Sequence, residues 1–137
     1  MKKILVAVDG SLASVHAARK ALELGAGMKA EVTLVHVAAP IIMPIDIPLT
    51  PAVDLRDAAL ANGASVLREV TAALEAPVKT LNLFGPPAEV VCDTAVDEGF
   101  DLVVVGNKGR GAVTRVLLGS VADRVVHGCK RHVMVVR

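Results

Sequence analysis

The stretch Leu102-Val103-Val104-Val105-Gly106-Asn107-Lys108-Gly109-Arg110-Gly111 decides how this chain folds. Four branched apolar residues in a row have no polar face, which predicts a short strand buried on both sides. Such strands belong to parallel sheets covered by helices, and the glycines mark an abrupt turn at the strand's carboxyl end. The same pattern recurs in both directions. Upstream, residues 4–8 form a second apolar run, broken by Asp9-Gly10-Ser11. Ser11 is a suitable cap for a helix reaching about residue 24, with Leu12, Val15, Ala18 and Leu22 at helical spacing and Gly25 and Gly27 ending it. Residues 32–37 read as another strand. A helix over about 53–74 follows, offering Leu60, Val66, Leu67, Val70 and Leu74 for burial. Residues 78–84 predict a third strand, and Pro86-Pro87 can open a helix to about residue 98. Downstream, Ser120-Val121-Ala122-Asp123 resembles a capping box opening a short helix that ends near Gly128, before a last strand at 133–136.

Five strands separated by helices predict an α/β fold, a doubly wound five-stranded parallel sheet in three α/β/α layers. Ligands of such sheets bind at the carboxyl edge where strand order reverses, so the expected site lies at Asp9-Gly10 and Gly106. At 137 residues, the whole chain (1–137) is expected to be one domain. Apolar residues at 53% against 21% charged argue against disorder. With no Trp, no Tyr and only Phe84 and Phe100, the core must be aliphatic, and there is no aromatic platform for stacking nucleic-acid bases. The longest stretch without Asp, Glu, Lys or Arg, 32–45, contains two prolines and falls short of the roughly 20 apolar residues a membrane helix needs. The Met1-Lys2-Lys3 start leads into no small-residue cleavage site, and Cys92 and Cys129 form no close pair along the chain. A cytoplasmic protein with reduced thiols is the simplest expectation.

Net charge is +1, but it is unevenly spread. Residues 1–105 hold 8 Lys/Arg and 13 Asp/Glu, a balance of −5. Residues 106–137 hold 7 Lys/Arg against Asp123 alone, a balance of +6. An anion is the natural partner of the later segment, and a merely solvated basic surface is the plainer alternative. Segment 38–52 carries Pro40, Pro44, Pro48 and Pro51 among apolar side chains. It forbids regular structure and fits a lid, a partner surface or packing against the domain.

After the fourth strand, Gly106, Gly109 and Gly111 permit close backbone approach to a ligand. Successive N–H groups there, with those opening the helix near Ser120, can hold an anion, and Lys108 and Arg110 can add charge. Gly106 and Gly111 have Walker A spacing, but Ala112-Val113 follows where Lys-Ser or Lys-Thr is required. Gly25-Ala26-Gly27-Met28-Lys29-Ala30 fits the dinucleotide fingerprint formally, yet it follows a helix and precedes a strand. A phosphoacceptor receiver domain needs an Asp after strand three, where Leu83-Phe84-Gly85 stands.

The spacing that remains is Gly106, Gly109 and, after nine residues, Gly119-Ser120. With Val6-Ala7-Val8-Asp9-Gly10-Ser11, Leu34-Val35-His36-Val37 and the terminal strand, it resembles the universal stress protein family along essentially all of the chain. The resemblance, to the ATP-binding members of that family, implies strand order 3-2-1-4-5, an adenine-nucleotide alpha-hydrolase-like sheet, and ATP over its carboxyl edge. Asp9 would bond the ribose or help hold Mg or Mn near the phosphates. Val37 would meet the adenine edge beside Ala7 and Val8. Gly106 and Gly109 would bracket ribose and phosphate, Gly119, Ser120 and Val121 would donate to the phosphates, and Val105 and Arg110 would also lie at the nucleotide. Asn107-Lys108 replaces the family's frequent Ser-His, and Ala122 replaces a hydroxyl residue that some members carry.

The resemblance also implies a small cytoplasmic stress-response regulator and a homodimer formed through the C-terminal edge strand, with a regulatory protein as a further partner. An AMP or cyclic AMP module is the nearest alternative, and a slow ATPase or kinase the next. No Ser-His-Asp arrangement or metal-ligand cluster stands out. His16 and His36 fall on core-bearing elements and read as structural, while His127 and His132 read as surface groups, so no catalytic residue is assigned. Nucleic-acid binding is disfavoured by the missing aromatics, and no segment suits membrane insertion.

Overall fold

The computed structural model of the protein describes residues 1–40, 55–109 and 118–137. Its elements run β1 (Lys3–Ala7), α1 (Leu12–Met28), β2 (Glu31–Ala38), α2 (Leu55–Leu74) and β3 (Lys79–Phe84). They continue with α3 (Pro87–Asp97), β4 (Leu102–Gly106), α4 (Ser120–Gly128) and β5 (His132–Val136). The strands form one sheet in the order β3-β2-β1-β4-β5, each neighbouring pair parallel. Leu5 lies between Thr33 and Val103, and Val6 between Leu34 and Val104. The strand order therefore reverses beside β1, whose two neighbours are reached by crossovers of opposite direction.

The period-two pleat divides the core. Ile4, Val6, Val8, Leu34 and Val104 face Ala17, Ala18 and Ala21 of α1 and Val66, Leu67 and Val70 of α2. Leu5, Val35, Val37, Val103 and Val105 face Ala88, Val91 and Ala95 of α3 and Ala122 and Val125 of α4. Ile4, Leu5 and Val6 are completely excluded from solvent, each contributing about 1.5–3 kcal/mol of burial. This is why the strand sequences are apolar without alternation. Phe100 is buried in the second core, whereas Phe84 stays partly exposed at β3.

Four local expectations are corrected. Helix α1 does not end at Gly25 and Gly27 but continues to Met28, and Lys29 takes the left-handed cap position at φ 55°. Gly25 serves packing instead, since a Cβ there would lie 2.7 Å from Val32 Cγ2. Leu12 is 79% exposed, so the buried stripe of α1 is Ser14, Ala17, Ala18, Ala21 and Gly25. His16 is also exposed rather than structural. Ser120 is the first helical residue of α4, not its cap. Gly119 takes the cap position without a side-chain bond, so the Ser120–Asp123 capping box does not form. Pro87 opens α3 as expected. Most of the proline-rich connection, residues 41–54, lies outside the described residues.

Candidate functional site

The carboxyl ends of β1 and β4 flank the point of reversal, and their turns build the site. After β1, Asp9 Oδ1 accepts the Ser11 N–H at 2.9 Å, the side-chain turn that Asp favours after a strand. Ser11 Oγ in turn accepts the Ser14 N–H at 3.2 Å and caps α1. Ser14 Oγ donates to Ser11 O at 2.9 Å and accepts the Asp9 N–H at 3.3 Å. These bonds hold the Asp9 carboxylate at the cavity mouth.

After β4, Asn107 N–H donates to Val136 O at 2.8 Å, which prolongs the β4–β5 ladder by one bond. The Gly119 N–H donates to Asn107 O at 2.8 Å and so seats the start of α4 against the strand's end. A Cβ on Gly119 would lie 3.1 Å from Gly109 N, and one on Gly109 would lie 2.8 Å from Asp9 Oδ2. Asp9, Gly109 and Gly119, from three separate parts of the chain, thus converge at backbone distance. Gly106 has a second reason to be glycine, because a Cβ there would come within 2.8 Å of the Ala13 carbonyl carbon and oxygen.

Between these turns lies a cavity of about 350 Å³. Val8, Val35, Val37, Val91 and Val105 supply apolar wall, with Ala7 and Pro87 beside them. Asp9, Lys108 and Gly106, Gly109 and Gly119 line the polar side. Ser120, Val121 and Ala122, the first turn of α4, complete it. With no side-chain cap, the N–H groups of that turn lack helical acceptors, and the positive end of the helix dipole faces the same space. Such a surface, mostly apolar with Lys108, glycine backbone and a helix start along one side, suits a ligand with a flat apolar part and an anionic part.

Ten of the residues expected from sequence line this cavity: Ala7, Val8, Asp9, Val37, Val105, Gly106, Gly109, Gly119, Ser120 and Val121. Arg110, with Gly111 and Arg115, lies outside the described residues. Sequence reasoning missed Ser14, Val35, Pro87 and Val91 as lining groups. Pro87 and Val91 reach the cavity from α3 by tertiary packing and carry no local signal. Ser14 could have been found, because it follows the cap by three residues and so returns to the turn.

His36 also lines the cavity. Its Nδ1 lies 2.8 Å from Val8 O, and a carbonyl can only accept, so Nδ1 carries the hydrogen in this contact. The ring therefore ties β2 to the end of β1, a structural role in keeping with its position. His127 and His132 are exposed. Among the described residues, no three His, Cys, Asp or Glu side chains cluster as a metal would need. No helix among them is long and apolar enough to cross a membrane.

Comparison with known proteins agrees with this architecture. The sequence matches the Universal stress protein family over residues 1–137. A universal stress protein of Methanocaldococcus jannaschii is 32% identical over 141 residues, covering 99% of this chain and 82% of that protein. UspA from Lactobacillus plantarum is similar in structure, with a TM-score of 0.77 and 29% identity over 99% of this chain and 97% of that one. A universal stress protein solved in complex with cAMP shares the fold at a TM-score of 0.72 and 24% identity, over 99% of this chain and 96% of that one. The chain belongs to the universal stress protein family.

Proposed function

We propose that this protein binds an adenine nucleotide, ATP foremost, and acts as a small cytoplasmic nucleotide-dependent regulator in stress response. The observation that carries the proposal is the convergence of Asp9, Gly109 and Gly119 at the mouth of one cavity. Adenine would lie against Val37, Val8 and Ala7, with ribose near Asp9 and Gly106. The phosphates would take N–H groups from Gly109, Gly119, Ser120 and Val121, with Lys108 offsetting charge. Arg110 is proposed to join them from the glycine loop. The cAMP complex of the related protein supports a second reading, in which AMP or cyclic AMP is the ligand. With Asp9 as the carboxylate at the cavity, a Mg or Mn ion would take most of its ligands from phosphate and water.

Binding, rather than efficient turnover, is the proposed activity. Asp9 Oδ1 is held by the Ser11 N–H and His36 Nδ1 by the Val8 carbonyl, which suits binding and structural roles for the two side chains. The proposed assembly is a homodimer through β5, which is an edge strand of the sheet.

The test is to denature protein purified without added nucleotide, identify released ligands by mass spectrometry, and titrate ATP, AMP and cyclic AMP by calorimetry. A Gly109→Val/Gly119→Val double variant puts one side chain against the Asp9 carboxylate and another against the Gly109 amide. It is expected to weaken nucleotide affinity at least about tenfold, or ~1.4 kcal/mol, with its circular dichroism unchanged. A folded double variant with unaltered affinity overturns the site.

A further inference from the structure

Cys92 lies on α3 and Cys129 caps the end of α4, far apart in sequence. Both pack on the edge of the second core, and the two side chains are within hydrogen-bonding reach of one another. The absence of a close pair along the chain is thus no guide to the fold, which pairs these thiols in space. Three features hold them there. The Cys129 N–H donates to Val125 O at 3.0 Å, which fixes the thiol at the end of α4. Val91, adjacent to Cys92, is fully packed in the core shared with Val125 of α4. From the turn after α4, Arg131 Nη2 reaches Val96 O near the end of α3.

We propose that Cys92 and Cys129 form a thiol pair that closes to an intramolecular disulfide when the protein meets a hydroperoxide. Both cysteines are half-buried, and both are free thiols in this structure. Cys129 opens onto a surface groove with Lys130, Arg131, His132, Asp101 and Met1, so it is the sulfur a dissolved peroxide reaches first. Cys92 is the resolving thiol. Burial, the neighbouring Cys129 and the carboxylates of Asp93 and Glu89 push its pKa up to about 12, so it is a poor target for the peroxide itself and gives up its proton only as it attacks.

The chemistry balances with hydrogen peroxide as the oxidant. Cys129 takes one oxygen to become a sulfenic acid, releasing water. Cys92 then attacks the sulfenyl sulfur, forming the S–S bond while its proton leaves with the hydroxyl as a second water. The bond would join α3 to the end of α4 opposite the cavity, a reversible staple between the two helices that cover one face of the sheet. It stands on the placement of the thiols and does not depend on which nucleotide is bound.

The experiment treats the reduced full chain with hydrogen peroxide, quenches it, and labels remaining thiols with a polyethylene-glycol maleimide under denaturing conditions. The expected result is loss of both labels, an intact mass lower by two hydrogens, no interchain product on a non-reducing gel, and a raised melting temperature reversed by dithiothreitol. In Cys92→Ser the reaction should stop at a Cys129 sulfenic acid that dimedone captures. Retention of both labels, or an interchain disulfide in place of the internal one, overturns the proposal. Sulfinic acid at Cys129 without any Cys92–Cys129 cross-linked peptide does the same.

Discussion

Asp101 is a half-buried side chain with a specific job. Its Oδ2 accepts the Lys2 N–H at 2.8 Å and the Lys3 N–H at 3.0 Å, while its own N–H donates to Lys3 O at 2.9 Å. The first residues of β1 are thereby pinned to the turn that leads into β4. The backbone bonds from Lys2 and then Lys3 hold its carboxyl below the usual carboxylate range. A group with a depressed folded pKa stabilises above its unfolded value, near pH 4, and that contribution is lost as pH falls through the folded value. Asp101→Asn is therefore expected to lower the melting temperature at pH 7, with the gap from the parent closing below about pH 4. Thermal melts across pH 2.5 to 7 check this, and a gap that stays constant over that range would contradict it. At the same scale, the glycines divide by cause. Gly109 and Gly119 are small where backbone meets backbone and carboxylate at the cavity mouth, whereas Gly106 is small because α1 passes over it at Ala13. The motif alone does not separate these reasons.

Helix α1 illustrates the element scale. Its two late glycines look like stop signals, yet the helix passes through both and turns at Lys29 in the left-handed region. Ala30 N–H and the capping N–H then close on Gly25 O, a helix end that normally favours glycine at the left-handed residue. Lys29→Gly is expected to stabilise the protein by about 0.5–1 kcal/mol, the left-handed penalty relieved less the entropy cost of glycine. Urea denaturation measures it, and a destabilised variant would mean the lysine side chain contributes more than its exposed position implies. Helix α4 has the opposite history. Its proposed side-chain cap is absent, and the Gly119–Asn107 bond sets its start instead. That uncapped start leaves the first-turn amides facing the cavity.

At the scale of the whole molecule, β3 and β5 are the two end strands of the sheet among the described residues. β3 carries Lys79 at its start, paired to Glu31 at 3.0 Å, a charged feature that suits an end strand. β5 carries Val133, Met134, Val135 and Val136, all only partly buried, which suits pairing with a second copy. Light scattering on the purified protein is expected to give about twice 14.2 kDa. A monomer at micromolar concentration would remove the proposed dimer. The late excess of basic residues also acquires locations: Lys108 at the cavity, Lys130 and Arg131 at the groove of Cys129, and Arg124 and Arg137 on the exposed surface.

Five strands, the parallel three-layer sheet and the Asp9 and glycine turns at its carboxyl edge were legible in the chain, because each signal lies within one element or at its end, whereas wall residues such as Val37 and Val105 were expected only from the family resemblance. An unbroken run such as 102–105 can be buried only one way, and turns after parallel strands all open on the same edge. Where α1 stops, why Gly106 is glycine, how Pro87 and Val91 enter the cavity, and that Cys92 meets Cys129 all depend on contacts between distant segments. Those contacts exist only after the helices dock on the sheet, since packing and backbone approach, not local propensity, choose among the conformations that each segment allows.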